Sequence, residues 1–517
     1  MGTALSKRRI ALNLASQWWA QLANTILSLL LIGYAVAKLG DTRFGGWTAI
    51  MSTYGALTML DAGLSVAIQY FVAHRSDPNQ RDELTSFYSS AYACYAIAAV
   101  VATIIGLLIS WNFPHIFPKF PHEIAVESSN AMAWASLGMG LFFLNVPCQG
   151  VLMGMQRHYI CNTVEVCALV TQMVVVIATF EFLEPNLRNL AFGFTSLATV
   201  RFVLYHAAVR TQIGIRITLS TLKWETLSQI FSFGGHSAFW TIATGILKES
   251  GPSLAAVVLG PRASTAVFVG TKVVRSVGVF IQNSGSVLMP MAATLAQADD
   301  QPRIRAMILK GTRFCALLSF AGAGVLVAFC DPLLAHWLGN KGDLARGVVI
   351  VTALGMLGSW VTQAQLSLLI GTRTLWPLTY MMGLRVILFV VLGVALGWAF
   401  GTTGLALGIV LPNTLTSVTV LPWLCARRFN VRLSEIAATL TYPLIIGLVV
   451  TVASMVLQHL WPPTSVGALA TEAIAAFVLF VVLAYLIGID SQYRSLINKN
   501  VSAILHRQRP ETTRNSS

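Results

Sequence analysis

Apolar runs of at least ~18 residues, long enough to cross a bilayer as helices, recur about fourteen times along the chain. They begin near Ala11, Phe44, Tyr88, Asn130, Tyr159, Leu190, Ile230, Ala263, Arg313, Gly347, Trp376, Thr402, Ile436 and Val466. Polar side chains inside these runs are spaced rather than scattered. The first run carries Gln17, Gln21, Asn24 and Ser28. Steps of four, three and four place them on one narrow helix face. About 220 residues later the same offset holds Ser237, Thr241, Thr244 and Lys248.

The correspondence continues along the chain. Leu39-Gly40 returns as Leu259-Gly260, and Asp61-Ala62-Gly63 as Asn283-Ser284-Gly285. Leu152-Met153-Gly154 returns as Leu369-Ile370-Gly371, and Leu190-Ala191-Phe192-Gly193 as Leu405-Ala406-Leu407-Gly408. The pattern predicts an all-α polytopic membrane protein of about 14 transmembrane helices. Two pseudo-symmetric six-helix lobes (1–210 and 230–425) flank a cytoplasmic linker (211–229). Two additional helices (436–488) and a basic cytoplasmic tail (489–517) follow. Six crossings return the chain to its starting side, so the lobes are expected to be parallel repeats related by an axis along the membrane normal. Only the second copy of the first helix pair carries buried cations, which points to transport of something anionic.

Charged residues are only 10% of the chain and mean hydropathy is +0.70, far from an ordinary soluble domain. Basic residues set the expected orientation. Loops on the side of both termini hold 22 Lys and Arg, and loops on the other side hold 7. That bias assigns both termini to the cytoplasm. The net charge of +14 is thus mostly topological and implies no nucleic acid. The tail after Asp490 suits contact with anionic membrane lipids. The seven cysteines show no metal-like spacing and no disulfide framework. Lys7-Arg8-Arg9 and the apolar run after them resemble a signal peptide, but the run is too long for a signal core and is expected to be retained. The loop residues His115, Lys119, His122 and Glu123 read as a solvated cap.

Charges near mid-bilayer are costly and usually face protein or a wet cavity. Five cations fall there: Arg201, Lys248, Lys272, Arg275 and Arg385. The clear acids are Asp61 and Glu249, with Glu165, Glu181 and Glu472 nearer span ends. On the eighth helix Lys272, Arg275, Gln282, Asn283 and Ser286 share an arc of roughly 100°. Like charges one turn apart repel, so an anion or an acid is expected beside them. A substrate-facing anion site is the first reading, and a buried ionic lock with Glu249 is the second. Tyr54, Thr58, Asp61, Ser65 and Gln69 form a comparable stripe on the second helix. Asp61 reads as a lone buried carboxylate able to bind a proton or a sodium ion. Arg201 and Arg385 suit a structural pairing or a substrate contact equally, and His206 and His236 suit interfacial packing.

Leu39-Gly40, Gly46-Trp47 and Asp61-Ala62-Gly63-Leu64, in this order within fourteen spans, resemble the polysaccharide flippases of the multidrug/oligosaccharidyl-lipid/polysaccharide exporter superfamily. The resemblance covers about 11–425. It implies a V-shaped pair of six-helix lobes in a bacterial inner membrane. The substrate would be an undecaprenyl-diphosphate-linked oligosaccharide moving from the inner to the outer leaflet. Many members carry a basic residue soon after the Asp-x-Gly-Leu pattern, where this chain has Gln69-Tyr70.

A diphosphate crossing hydrocarbon needs positive charge and hydrogen-bond donors. Lys248, Lys272 and Arg275 are the expected charges, and Gln17, Gln21, Asn24 and Asn283 the expected sugar contacts. Asp61 and Glu249 are the expected ion-coupling or gating acids, with a proton or sodium as the coupling ion. No metal or other cofactor is expected. Partners would be membrane lipids, a polysaccharide polymerase and chain-length machinery. No phosphate-loop pattern appears, so a secondary transporter rather than an ATPase or other enzyme is expected. Alternatives are a lipid II flippase, an ion-coupled multidrug exporter and a membrane glycosyltransferase or polymerase. The last would need a larger catalytic loop than the roughly 20-residue loops present.

Overall fold

The computed structural model describes residues 7–74, 81–218, 238–286, 288–298 and 300–488. Among these residues the structure is helical, with no strand. Eleven helices are long and apolar enough to cross a membrane, and the protein is an all-α polytopic membrane protein. Two of the eleven are too long for one crossing. Ser16–Asp61 has 46 residues and Leu375–Phe429 has 55. At 1.5 Å per residue they would run about 70 and 80 Å if straight, against ~30 Å of hydrocarbon.

Each long helix is broken by a glycine. Gly40 has φ 83° and ψ 165°, and Gly401 has φ 63° and ψ −146°. A β-carbon at either position would meet nothing within 4 Å. Glycine is therefore required there by backbone conformation, not by space. After Gly401 the chain doubles back closely, with Gly397 against Leu405 at 3.3 Å for an added β-carbon.

The chain forms two compact units. One comprises Met1–Val273, Trp337–Val351 and Trp376–Pro412; the other comprises Val274–His336, Thr352–Leu375 and Asn413–Ser517. The division is one of packing and passes through the helix Pro261–Ser286. The two repeated lobes stay a proposal from the sequence.

In the first unit, Arg81–Trp111 packs on His122–Gly154, which packs on Leu187–Ala208. His158–Phe182 joins Leu187–Ala208 to the first helix. The core includes Ile68, Val72, Phe87, Tyr88, Met139 and Phe143, each at most 2% exposed. In the second unit, Gln301–Ala328 packs on Thr441–Leu460. Leu317, Ala321, Ile446, Val450 and Phe480 form the seam that also holds Val466–Leu483.

Backbone conformation is similar at several positions that the sequence pairs. Gly260, the counterpart of Gly40, also has positive φ, at 102°. Gln156 (φ 59°) and Arg373 (φ 57°) are both left-handed without being glycine. Around Gln156, its own N–H reaches Met153 O at 2.9 Å, and Arg157 N–H reaches Leu152 O at 2.9 Å. Around Arg373, its N–H reaches Ile370 O at 3.0 Å, and Thr374 N–H reaches Leu369 O at 2.9 Å. These are the same helix-ending motif, in which two N–H groups fold back onto terminal carbonyls.

The left-handed cap makes a testable demand. Glycine should be accepted at position 156, whereas a β-branched residue should be strained. Gln156→Val should be less stable than Gln156→Gly by roughly 1–2 kcal/mol, read from thermal melting of the purified protein. Equal stability of the two variants would show that this end does not depend on a left-handed cap.

Candidate functional site

The first helix has three distinct sides. Asn13 donates to Gln156 O at 3.0 Å and accepts from Tyr159 N–H at 3.3 Å. Ser16 accepts from Asn162 at 2.9 Å. Further along the same side, Tyr34 donates to Glu181 at 2.7 Å and Lys38 pairs with Glu181 at 2.8 Å. This side therefore holds the helix His158–Phe182 over its length. Leu12, Trp18, Trp19, Leu22, Ile26 and Leu30 are exposed on a second side. The polar stripe makes the third, roughly 90° round from the packed side and away from the apolar one. Gln17 is exposed there, and Gln21 and Asn24 are half-buried.

The helix Pro261–Ser286 is divided just as clearly. Val267, Gly270, Val274, Gly278, Ile281 and Gly285 are buried on one side. A β-carbon at Gly270 would lie 2.6 Å from Val348, and one at Gly278 would lie 2.9 Å from Trp360. Lys272, Arg275 and Gln282 are half-buried, and Asn283 and Ser286 are exposed, roughly 140° round from that packed side. The helix ends three residues after Asn283.

Lys248 is exposed and Glu249 half-buried. Glu249 is held against the second span. Its carbonyl accepts a hydrogen bond from Ser52, and Ser52 in turn accepts from Ser253 N–H at 3.1 Å. A β-carbon at Gly55 would fall 2.6 Å from that of Glu249. Thr241 and Thr244 lie on the same helical stretch, while Ser237 and His236 lie outside the described residues.

Asp61 is not the lone carboxylate that the sequence suggests. The second span breaks beside it, at Ala62 (φ 45°) and Gly63 (φ 79°). The helix Leu64–His74 then starts with N–H groups that its own backbone cannot satisfy. Asp61 accepts from Ser65 N–H at 3.2 Å and from the Ser65 hydroxyl at 2.7 Å. The Tyr95 hydroxyl donates to the same carboxylate, and Tyr95 is only 2% exposed.

Arg201 is not single either. It forms an ion pair with Glu165, which also accepts from the Tyr205 hydroxyl at 2.8 Å. Glu165 is therefore tied to the helix Leu187–Ala208 by both residues. Arg201 Nε is buried with no hydrogen-bond partner among the described residues. His206 does more than pack. Its Nδ1 donates to Phe202 O at 2.8 Å, so in the neutral ring Nε2 accepts from Tyr92 OH at 3.0 Å. Tyr88 OH lies 3.2 Å from Cys148 Sγ. Tyr88, Tyr92 and Tyr95, at helical spacing on one helix, thus reach three neighbouring helices. Their spacing of four and three is the one signal of this in the sequence.

Arg385 is the one charged side chain that is buried among the described residues, at 4% exposure. Its guanidinium lies 3.6 Å from Met381 Sδ and 3.9 Å from Met382 Sδ. Lys119 is exposed, and its ammonium donates to the backbone carbonyl of Val258. No group of three His, Cys, Asp or Glu able to hold a metal ion occurs among the described residues.

No protein-family model matches the sequence, and no curated protein matches it. Solved structures do match in fold. An inward-facing MATE family multidrug resistance transporter of the MOP superfamily aligns with TM-score 0.70 at 15% identity, covering 80% of this chain and 96% of that one. The lipid II flippase MurJ in an inward closed conformation aligns with TM-score 0.71 at 11% identity, covering 94% of this chain and 100% of that one. A MOP superfamily transporter from Pyrococcus furiosus, described as having a binding pocket of reverse polarity, aligns with TM-score 0.54 at 15% identity, covering 83% and 94%. The chain has the fold of MOP superfamily membrane transporters.

The Arg201–Glu165 pair is about three-quarters or more removed from solvent, with side chains 20% and 26% exposed. Removing one partner should strand the other. Arg201→Gln and Glu165→Gln should each lower the melting temperature, and the double variant should lose less than the two losses combined. The coupling should be roughly 0.5–3 kcal/mol. Strict additivity would mean that the pair contributes nothing as a pair.

Proposed function

We propose that the protein is a flippase that carries an undecaprenyl-diphosphate-linked oligosaccharide across a bacterial inner membrane by alternating access, with both termini in the cytoplasm. One observation carries the reading: a helix in a transporter fold whose packed side is lined by glycines and whose other side bears Lys272 and Arg275. A diphosphate is the common lipid-linked group that needs two cations one turn apart. Arg suits it through a planar fork and Lys as a movable point charge.

Two comparisons support this reading over drug export. The lipid II flippase covers 94% of this chain, against 80% for the MATE transporter. The transporter with reversed pocket polarity is an instance of this fold with altered pocket charge. The same coverage keeps lipid II itself as the second reading, because it shares the diphosphate and differs in the sugar. In either case Gln17, Gln21, Asn24 and Asn283 contact sugar hydroxyls, and Lys248 adds charge. Asp61, hydrogen-bonded at the break in the second span, and Glu249, packed on that span, couple an ion or gate the path.

Lys272→Gln and Arg275→Gln should each reduce export of the lipid-linked sugar while leaving protein abundance nearly unchanged. Arg275→Lys should restore only part of the activity. A well-folded double variant with normal export would exclude the substrate role. An unstable double variant rescued by Glu249→Gln would establish the ionic lock, since a broken buried pair typically costs ~3–5 kcal/mol.

Asp61→Asn keeps an acceptor oxygen for the Ser65 cap but loses the charge. It should change the dependence of export on pH or sodium. Unaltered rate and ion dependence would leave Asp61 as a cap alone.

A further inference from the structure

We infer that Lys119 and Lys341 are a reciprocal pair of latches that hold two repeat-related helix ends on the side opposite the N-terminus, and that their release is a step of the transport cycle. The argument begins with the carbonyls. A helix leaves its last carbonyls without internal donors. At the end of Gly251–Val258, the N–H groups of Leu259 and Gly260 both go to Ala255 O, at 2.9 and 3.1 Å. Val258 O is left to an outside donor, and Lys119 Nζ supplies it. The first helix breaks at Gly40, and the carbonyl of Val36 lies in the turn before that break. Lys341 Nζ donates to it at 2.8 Å.

The two contacts are exchanged between the repeats. Lys119 and Lys341 are 222 residues apart, and so are Val36 and Val258. Each half of the chain contributes a lysine that caps the first helix of the other half. A chance surface contact would have no such counterpart. The chemistry is also suited to release. A lysine at a helix C-terminus is held by the negative end of the helix dipole and one hydrogen bond. It swings away on a flexible stem without opening a packed core.

The seam around the latches is polar in the same way. Arg262 pairs with Asp41 at 3.3 Å and is 71% exposed. The Thr265 hydroxyl donates to Asp41 O at 2.7 Å, and Thr48 and Ser264 share a hydrogen bond at 2.7 Å. Trp337 donates to Leu29 O at 2.7 Å, in the space left by Gly33. Water reaches Arg262 and can replace its partner, whereas the buried Thr48 and Ser264 separate only when the seam itself opens.

The inference rests on the transporter fold and not on the substrate, so it can fail while the diphosphate reading stands, and the reverse. The test is hydrogen–deuterium exchange of the full chain in lipid nanodiscs, with Lys119→Met, Lys341→Met, the double variant and the two Lys→Arg variants. Lys119→Met should raise exchange severalfold in peptides covering 256–266. Lys341→Met should do so in 36–46, and the double variant in both. The Arg variants should stay near wild type, as should the helix His122–Gly154 in every variant. Unchanged exchange at both helix ends in the double variant would overturn the latch. So would a rise that spreads equally into His122–Gly154, which would make the lysines general staples of the fold.

Discussion

A helix that ends inside or near a bilayer must find partners for backbone groups that water cannot reach. This constraint organises the molecule. The chain breaks at Gly40, at Ala62-Gly63, at Gln156, at Gly260, at Arg373 and at Gly401, each with positive φ. At five of these breaks a specific group answers terminal carbonyls or N–H groups. Asp61 serves the start of Leu64–His74, Lys119 serves Val258, and Lys341 serves Val36. The folded-back N–H groups after Gln156 and Arg373 serve their own helices. Asp61, which looks like an isolated liability in the sequence, is part of the solution to this backbone problem.

The same constraint links architecture to transport. A helix broken where a carboxylate caps it can respond to that carboxylate's charge, and this is the ground on which Asp61 is proposed as a coupling residue. The amphipathic helix Pro261–Ser286 solves a different problem. Its glycines bring one side close to Val348 and Trp360, and Lys272 and Arg275 are half-buried on another side of the same helix. Arg385, by contrast, is buried beside methionine sulfurs, which is a structural setting for a cation more than an open one.

Much of this was legible in the sequence, for a physical reason. Helical periodicity fixes which residues share a face, so the stripes of Gln17, Gln21 and Asn24 and of Lys272, Arg275 and Asn283 could be drawn before any coordinates. The return of Leu39-Gly40 as Leu259-Gly260 marked the breaks at Gly40 and Gly260. What periodicity does not encode is the partner on another helix. Glu165 and Arg201 lie 36 positions apart and meet only because His158–Phe182 packs on Leu187–Ala208. Tyr95 meets Asp61 for a similar reason. Lys119 was the hardest to read, because its partner is a backbone carbonyl and every residue has one. Only the matching contact 222 residues away distinguishes it from a solvated loop lysine.

The central claim is that this fold moves a diphosphate-linked sugar lipid rather than a cationic drug. The most direct measurement places a fluorescent undecaprenyl-diphosphate oligosaccharide in one leaflet of vesicles containing the purified full-length protein, and follows its appearance in the other leaflet by quenching. The account predicts that crossing rises in proportion to the protein copies per vesicle, while a lipophilic cationic dye gains no protein-dependent transport. A folded protein that leaves the sugar lipid on its original leaflet and moves the dye would contradict it.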